Sequence, residues 1–145
     1  MPNLEKLHLD DDDFDSFAES KTVEIPELNF LSINTNELDG SLPDYFKDFT
    51  KLQFLFLKEN YFQGSLDIIT SFPDLESVDV SSQLLHSNCS KGYGFAGTVP
   101  AFDTQPKLRR VNIRENCLTG TISSDILNGV DLGNFDFFMV RENST

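Results

Sequence analysis

Three glycines past the middle of the chain have the spacing of a phosphate-binding loop. Gly92, Gly94 and Gly97 form G-x-G-x-x-G, and Val99 follows two residues after the last of them. This pattern binds nucleotides where it joins a strand to the N-terminus of a helix, whose amides meet the phosphates. Here Gly97 is followed by Pro100, and no V-A-I-K, H-R-D or D-F-G element lies downstream. We therefore predict no nucleotide site and no cofactor.

A run of acidic residues near the N-terminus raises the question of a metal site. Residues 10–15 read DDDDFD, but an EF-hand loop would need a glycine at its sixth position and a glutamate at its twelfth. Loose Ca²⁺ binding by the clustered carboxylates stays open as an alternative. His8 and His86 have no acidic or cysteine partner at a recognisable spacing. We predict no metal site, no catalytic residue and no enzyme activity in this chain.

Two cysteines and two sequons bear on the compartment. Cys89 and Cys117 are the two cysteines of the chain, and sequence alone leaves their pairing open. Asn88 and Asn143 each begin an N-x-S/T sequon, the acceptor for N-glycosylation in secreted proteins. The sequons weakly favour a secreted glycoprotein.

The spacing between positions 28 and 38 identifies the element from which the chain is built. Leu28, Leu31, Ile33 and Leu38, with Asn36 before the last of them, match the leucine-rich-repeat signature L-x-x-L-x-L-x-x-N-x-L. Leu31 and Ile33 are two apart and therefore point to the same side of a short strand. The amide of Asn36 can bond backbone groups where the chain leaves that strand. One such segment cannot bury its own apolar side, so it requires copies above and below it.

The copies run through the whole chain. They start at positions 4, 28, 52, 75, 108 and 135, and the fourth carries a loop insertion at 86–95. The predicted fold is an α/β solenoid of about six rungs over residues 1–145, a single domain in which each rung is one turn of the chain. A short parallel sheet lies on its concave face, and irregular or 3₁₀ turns lie outside. We expect Phe46, Phe49, Ile69 and Phe72 to pack behind the strands.

The last residues of the repeat indicate which class of leucine-rich repeat the chain resembles. Residues 40–43 and 97–100 both read G-x-L/V-P, and Gly120 begins a third, related tail. The chain resembles the plant-type class of leucine-rich-repeat proteins, which includes receptor-like ectodomains and polygalacturonase-inhibiting proteins. The resemblance implies a recognition module for a protein or peptide. It also implies cysteine-paired caps on either side of the solenoid, and neither cap is visible in this sequence.

Charge and hydropathy exclude other classes. The net charge is −13, with 24 acidic against 11 basic residues, which argues against nucleic-acid and anionic-membrane partners. The chain has no 18-residue apolar run and no signal peptide. We expect an extracellular or cell-surface location if the N-terminus is truncated, and a cytoplasmic location otherwise.

The strand positions between the core residues predict the binding surface. If Leu55 and Leu57 face the core, Phe54 and Phe56 face away from it, beside Phe30 of the preceding copy. Aromatic and arginine side chains dominate protein interfaces. The predicted partner-binding residues are Phe30, Phe54, Phe56, Asp79, Arg109, Arg110, Asn112 and Arg114. Mutual packing of these side chains, or packing on flanking repeats, is the simpler alternative.

Two other functions fit the same fold. The alternatives are an intracellular structural scaffold and the sensor portion of a receptor kinase whose catalytic domain lies beyond Thr145. We expect a fragment of a longer solenoid that associates through uncapped ends, because apolar residues stand in both terminal copies: Leu4, Leu7, Phe135 and Phe138. A transmembrane segment or a kinase domain in the full reading frame would separate these alternatives.

Overall fold

The computed structural model describes residues 3–17, 23–83, 89, 92–121 and 136–138. Within these residues the chain forms ten short strands and two 3₁₀ helices, Asp44–Asp48 and Asp67–Ser71. The strands are Lys6–His8 (β1), Phe30–Ser32 (β2), Asp39–Gly40 (β3), Phe54–Phe56 (β4), Tyr61–Gly64 (β5), Ser77–Asp79 (β6), Gly94–Thr98 (β7), Arg110–Asn112 (β8), Cys117–Thr119 (β9) and Asp136–Phe138 (β10).

The strands form two parallel sheets that wind as a solenoid. The concave sheet has the order β1-β2-β4-β6-β8-β10, and the lateral sheet has the order β3-β5-β7-β9. In the described residues four rungs carry a strand in each sheet, and a single concave strand flanks them at either end. The leucine-rich-repeat solenoid predicted from the sequence is confirmed. Both described helices are 3₁₀, so the convex side has the tight turns that short repeats require.

The core follows from the period of two in the strands. Leu31, Leu55, Val78 and Val111 stand in register across neighbouring strands, and each is at most 2% exposed. Their side chains point inward because successive residues of a strand alternate between its two faces. Behind them lie the residues predicted for the convex side, all at most 3% exposed: Phe46, Phe49, Ile69 and Phe72. Each rung thus buries its apolar residues against the rungs beside it.

Buried amides fasten each rung to the one before it. The Nδ2 of Asn60 donates to the carbonyl of Ile33 at 2.8 Å, and its Oδ1 accepts the amide of Leu38 at 3.2 Å. The same bridge recurs at Asn36, Gln83 and Asn116. These four side chains form an amide ladder that satisfies backbone groups buried at every turn.

The backbone conformation explains why the tail of each repeat begins with glycine. Gly64 has φ +85°, and a Cβ there would lie 2.7 Å from the Oγ of Ser41 in the preceding rung. A side chain at this position would meet both an unfavourable backbone conformation and a neighbouring atom. The same left-handed conformation recurs at the equivalent glycines Gly40, Gly97 and Gly120.

The insertion ends two residues earlier than the sequence predicted. Gly94 and Phe95, placed in the loop at 86–95, begin strand β7 and pair with Gln63 and Gly64. Phe95 is fully buried and stacks on Phe62 with ring centroids 5.9 Å apart. Burying this aromatic ring in the core requires the chain to rejoin the repeat two residues earlier. Residues 86–88 and 90–91 lie outside the described residues.

The register of the last copy differs by one residue from the predicted start at 135. The pairing of β10 with β8 places Phe137 opposite Val111, and Phe138 opposite Asn112. The backbone of Phe137 therefore takes the register position at which the sequence pattern had placed Phe138. The consecutive pair Phe137-Phe138 left the pattern ambiguous at this point.

Leu57→Ala should destabilise the chain by roughly 2–5 kcal/mol, because Leu57 is fully buried between rungs and truncation leaves a cavity. Urea unfolding followed by circular dichroism measures the loss. Leu9→Ala is the matched control, since Leu9 is half-buried in the first rung and should cost clearly less. Equal losses at the two positions would contradict the packing described here.

Asn60→Asp should destabilise by about 2–3 kcal/mol at neutral pH, because a carboxylate cannot donate to the carbonyl groups of Ile33 and Leu57. Burial disfavours the charged carboxylate, so the pKa of the new side chain should rise on folding. The loss should therefore shrink as the pH falls below about 5, where the carboxyl group binds a proton. The half-buried Asn29→Asp is the charge-matched control for urea unfolding at both pH values.

Candidate functional site

Three phenylalanines gather on the concave face. Phe30 lies on β2, and Phe54 and Phe56 lie on β4, all half-buried. The ring centroids are 5.8 Å apart for Phe30–Phe54, 5.5 Å for Phe30–Phe56 and 6.5 Å for Phe54–Phe56. These distances suit favourable aromatic contacts. We call the three side chains the aromatic patch. The rings also pack on one another, which is part of the simpler alternative that the sequence left open.

A histidine extends the aromatic patch towards the first rung. The ring of His8 on β1 lies 4.5 Å from that of Phe30. Spacing in the sequence did not place His8 in a site, because it has no acidic or cysteine partner at a recognisable distance along the chain. The signal that would have found it is its place in the same outward column as Ser32 and Phe56.

A polar network borders the aromatic patch on the N-terminal side. The carboxylate of Asp10 accepts the hydroxyl of Ser32 at 2.7 Å and the backbone amide of Asn34 at 2.7 Å. The Oδ1 of Asn34 accepts the amide of Lys58 at 2.9 Å in the next rung. These bonds link three consecutive rungs and hold the concave surface in one arrangement.

A second network borders the aromatic patch on the C-terminal side and includes two predicted site residues. Asp79 accepts the hydroxyl of Ser81 at 2.6 Å and the Nδ2 of Asn112 at 2.9 Å. Asn112 in turn accepts the amide of Arg114 through its Oδ1 at 3.4 Å. Asp79 and Asn112 are both half-buried, so they present fixed polar atoms beside the rings.

The three predicted arginines take different positions. Arg109 and Arg110 are exposed, and Arg110 lies on β8 one rung beyond Ser77. Arg114 is half-buried and donates to Glu115 at 3.3 Å. The pKa of Glu115 is lowered, first by the hydrogen bond from Ser82 and then by that from Arg114. Arg110 thus lies in the same register as Phe54, with Ser77 between them, and Arg114 bonds Glu115.

The lateral side carries the insertion and a disulfide. Cys89 and Cys117 are bonded, with their Cα atoms 5.5 Å apart, so the insertion is tied to β9. Tyr93 beside it is 51% exposed. Gly94 and Gly97 lie within β7, so the G-x-G-x-x-G string runs along a strand and does not open a helix. Asn88, His86 and Asn143 lie outside the described residues.

An acidic cleft of about 480 Å³ opens on the same lateral side. Its charged and aromatic lining consists of Asp12, Asp13, Glu37, Glu59 and Tyr61. Among the described residues no group of three or more His, Cys, Asp or Glu side chains is arranged to hold a metal ion. The described part of the chain also contains no helix of the length and apolarity that crossing a membrane requires.

Comparisons of the sequence find similarity to plant receptor proteins. No family model matches it. It is 28% identical over 148 residues to the receptor-like kinase TMK2 of Arabidopsis thaliana, covering 87% of this chain and 17% of the kinase. It is also 28% identical over 99 residues to receptor-like protein 48 of the same plant, covering 63% of this chain and 12% of that protein. The chain thus spans less than a fifth of the length of these relatives.

Solved structures share the fold. The plant peptide hormone receptor RGFR1, in complex with RGF2, superposes with a TM-score of 0.68 at 25% identity, covering 86% of this chain and 19% of that one. The ectodomain of the Arabidopsis thaliana receptor kinase GASSHO1/SCHENGEN3, in complex with CASPARIAN STRIP INTEGRITY FACTOR 2, gives 0.70 at 23% identity over 87% and 14%. The ectodomain of the Arabidopsis thaliana receptor kinase SOBIR1 gives 0.63 at 22% over 78% and 55%.

Four observations indicate the same fold: the repeat signature, the two parallel sheets, the amide ladder and the similarity to these proteins. The chain is a leucine-rich-repeat solenoid, and its sequence is similar to those of plant receptor-like kinases and receptor-like proteins.

Proposed function

We propose that the chain is a non-catalytic recognition module that binds a peptide or protein on its concave face. The observation that carries this proposal is the aromatic patch, three clustered rings on the solvent-facing side of the concave sheet. A partner that covers the rings removes apolar surface from water, at roughly 25 cal/mol per Å². The two polar networks beside the aromatic patch hold it in shape, which lowers the entropy cost of binding.

The charged residues near the aromatic patch favour a partner that has charged groups as well as an apolar side chain. Arg109 and Arg110 are exposed beyond the aromatic patch, and arginine presents planar donors suited to carboxylates. The acidic residues at the N-terminal end can steer a basic segment of the same partner towards the other side. We place the partner across the aromatic patch, extending towards Arg109 and Arg110 and bordered by the insertion.

The comparisons support the same class of function. Two of the similar ectodomains, those of RGFR1 and GASSHO1/SCHENGEN3, are solved in complex with RGF2 and CASPARIAN STRIP INTEGRITY FACTOR 2. We propose a peptide or protein ligand of comparable kind for this chain. The likeness to TMK2 keeps the receptor-kinase alternative in view, with this chain as part of the sensor.

The compartment follows from the same comparison and from cysteine chemistry. The relatives are receptor-like proteins, and Cys89 and Cys117 form a disulfide, a bond that persists in oxidising compartments. We propose an extracellular or cell-surface location, in which the sequons at Asn88 and Asn143 are glycosylated. A cytoplasmic scaffold is the alternative, and reduced cysteines in the protein isolated from its source would favour it.

The Phe54→Ala, Phe56→Ala double variant should bind at least tenfold more weakly, because it removes two of the three rings of the aromatic patch. Peptides are first selected on the wild-type chain from a displayed library of random dodecapeptides. The enriched peptides are then titrated against both proteins by calorimetry. Circular dichroism checks that the double variant keeps its fold.

Phe14→Ala is the matched control for aromatic truncation, since Phe14 is 42% exposed and lies outside the aromatic patch. It should leave the affinity unchanged. Unchanged affinity in the double variant, together with loss of binding when residues 86–93 are deleted, would contradict the concave site and favour the lateral side.

A further inference from the structure

Two hydrogen-bond donors stand side by side on the first strand of the concave sheet. Lys6 and His8 are the outward residues of β1, on either side of the half-buried Leu7, and both are exposed. Residues two apart on a strand share a face, with their Cα atoms about 6.6–6.8 Å apart. Both side chains can therefore donate to one group placed above β1.

Lys6 has no ion-pair partner, which sets it apart from the other lysines of the described residues. Each of those pairs with a carboxylate: Lys47 with Asp44, Lys51 with Glu27, Lys58 with Glu59 and Lys107 with Asp74. The net charge of the chain is −13, so carboxylates are abundant. Within the described residues no oxygen accepts a hydrogen bond from the Nζ of Lys6. Its charge is thus available to a partner.

The imidazole of His8 is packed on one side but has no hydrogen-bond partner. Its ring lies 4.5 Å from that of Phe30, with 31° between the two planes. In the part of the chain that the structure describes, no group bonds to either ring nitrogen. A neutral imidazole carries one N–H donor, and a protonated imidazole carries two. Packing on Phe30 holds the ring in place, so its donor is presented to a ligand at a reduced entropy cost.

The next outward carboxylate along the chain is engaged elsewhere. Asp10 accepts the hydroxyl of Ser32 and the backbone amide of Asn34, both at 2.7 Å. These bonds hold its carboxylate towards the second rung. Asp12 and Asp13 come later and line the acidic cleft on the lateral side. None of these acids pairs with the two donors of β1, although the chain as a whole is strongly acidic.

The two donors border the aromatic patch. In the register of the concave sheet, Lys6 stands opposite Phe30, and Phe30 stands opposite Phe54. Neighbouring strands are about 4.8 Å apart, so the aromatic patch lies between one and two strand spacings from β1. Two residues on one side of an extended peptide are about 6.6–6.8 Å apart, which falls within this range. A peptide whose apolar side chain covers the aromatic patch can therefore place the side chain two residues away above β1.

We propose that Lys6 and His8 form an anion subsite at the edge of the aromatic patch, and that this subsite takes a carboxylate of the bound peptide. This inference rests on the concave site proposed above. A carboxylate accepts hydrogen bonds from both side chains at once, and its charge complements that of Lys6. The ligand motif is an acidic residue two positions from an apolar residue. The C-terminus of a peptide carries the same group and is the other source of the carboxylate.

Selection from the dodecapeptide library tests the motif. Peptides selected on the wild type should be enriched in Asp or Glu two positions from the apolar residue. Selection on the Lys6→Met, His8→Phe double variant should keep the apolar residue and lose the acidic one. Methionine keeps an unbranched side chain without the charge, and phenylalanine keeps a ring on Phe30 without a donor. Lys47→Met is the charge-matched control, since Lys47 lies on a convex 3₁₀ helix, and it should leave the motif unchanged.

Titration of one selected peptide and its amide counterpart, with Gln for Glu or Asn for Asp, gives the sharpest comparison. On the wild type the amide counterpart should bind about five- to tenfold more weakly, and on the double variant the two peptides should bind equally. The difference on the wild type should shrink at high salt, because exposed charges are screened. A loss on amidation of the peptide C-terminus instead, also absent from the double variant, would assign the same contact to the chain end.

Two results would overturn the subsite while leaving the concave site intact. The first is an equal loss for the amide counterpart on the wild type and on the double variant, which would place the carboxylate elsewhere, for example at Arg110. The second is a set of peptides that require the aromatic patch but neither carry an enriched acidic residue nor respond to amidation. If the Phe54→Ala, Phe56→Ala variant binds as tightly as the wild type, or if no peptide is selected at all, the concave site itself fails, and the inference fails with it.

Discussion

The hydrogen bonds of the buried amides are the interactions on which the solenoid depends. Asn36, Asn60, Gln83 and Asn116 each donate to a carbonyl of the preceding rung and accept a backbone amide from a later position of that same rung. A buried backbone group without a partner costs about 1–3 kcal/mol, so a rung separated from its neighbour would lose several such bonds. Each rung is therefore stable only in the stack, and stacking also aligns the columns of apolar side chains.

The same register that builds the core builds the binding surface. Once Leu31 and Leu55 stand opposite each other inside, Phe30 and Phe54 must stand opposite each other outside, within ring-contact distance. The surface is then held by polar bonds that cross from rung to rung, such as those of Asp10 and Asp79. A pre-formed surface of this kind loses little entropy when a partner covers it.

Two positions depart from the repeat pattern, and both show how the stack accommodates a change. Gln83 replaces asparagine in the ladder, and its longer side chain still reaches Leu57 and Phe62. The insertion leaves the repeat but is tied back to β9 by the disulfide. Both departures therefore keep a bond to a neighbouring rung.

The sequence by itself determined the solenoid, its inward columns and the aromatic patch, because these depend on periods of two within a strand and of about 24 along the chain. It did not determine which outward residues are already bonded, such as Asp79 to Asn112, because their partners lie a rung away. Nor did it show that the ring of His8 lies against that of Phe30. The sequence also did not determine the register of β10 against β8, since the consecutive residues Phe137 and Phe138 fit the repeat pattern equally well. Only the packing of one rung on the next decides such contacts, because the residues that make them are some 22 to 33 positions apart in the chain.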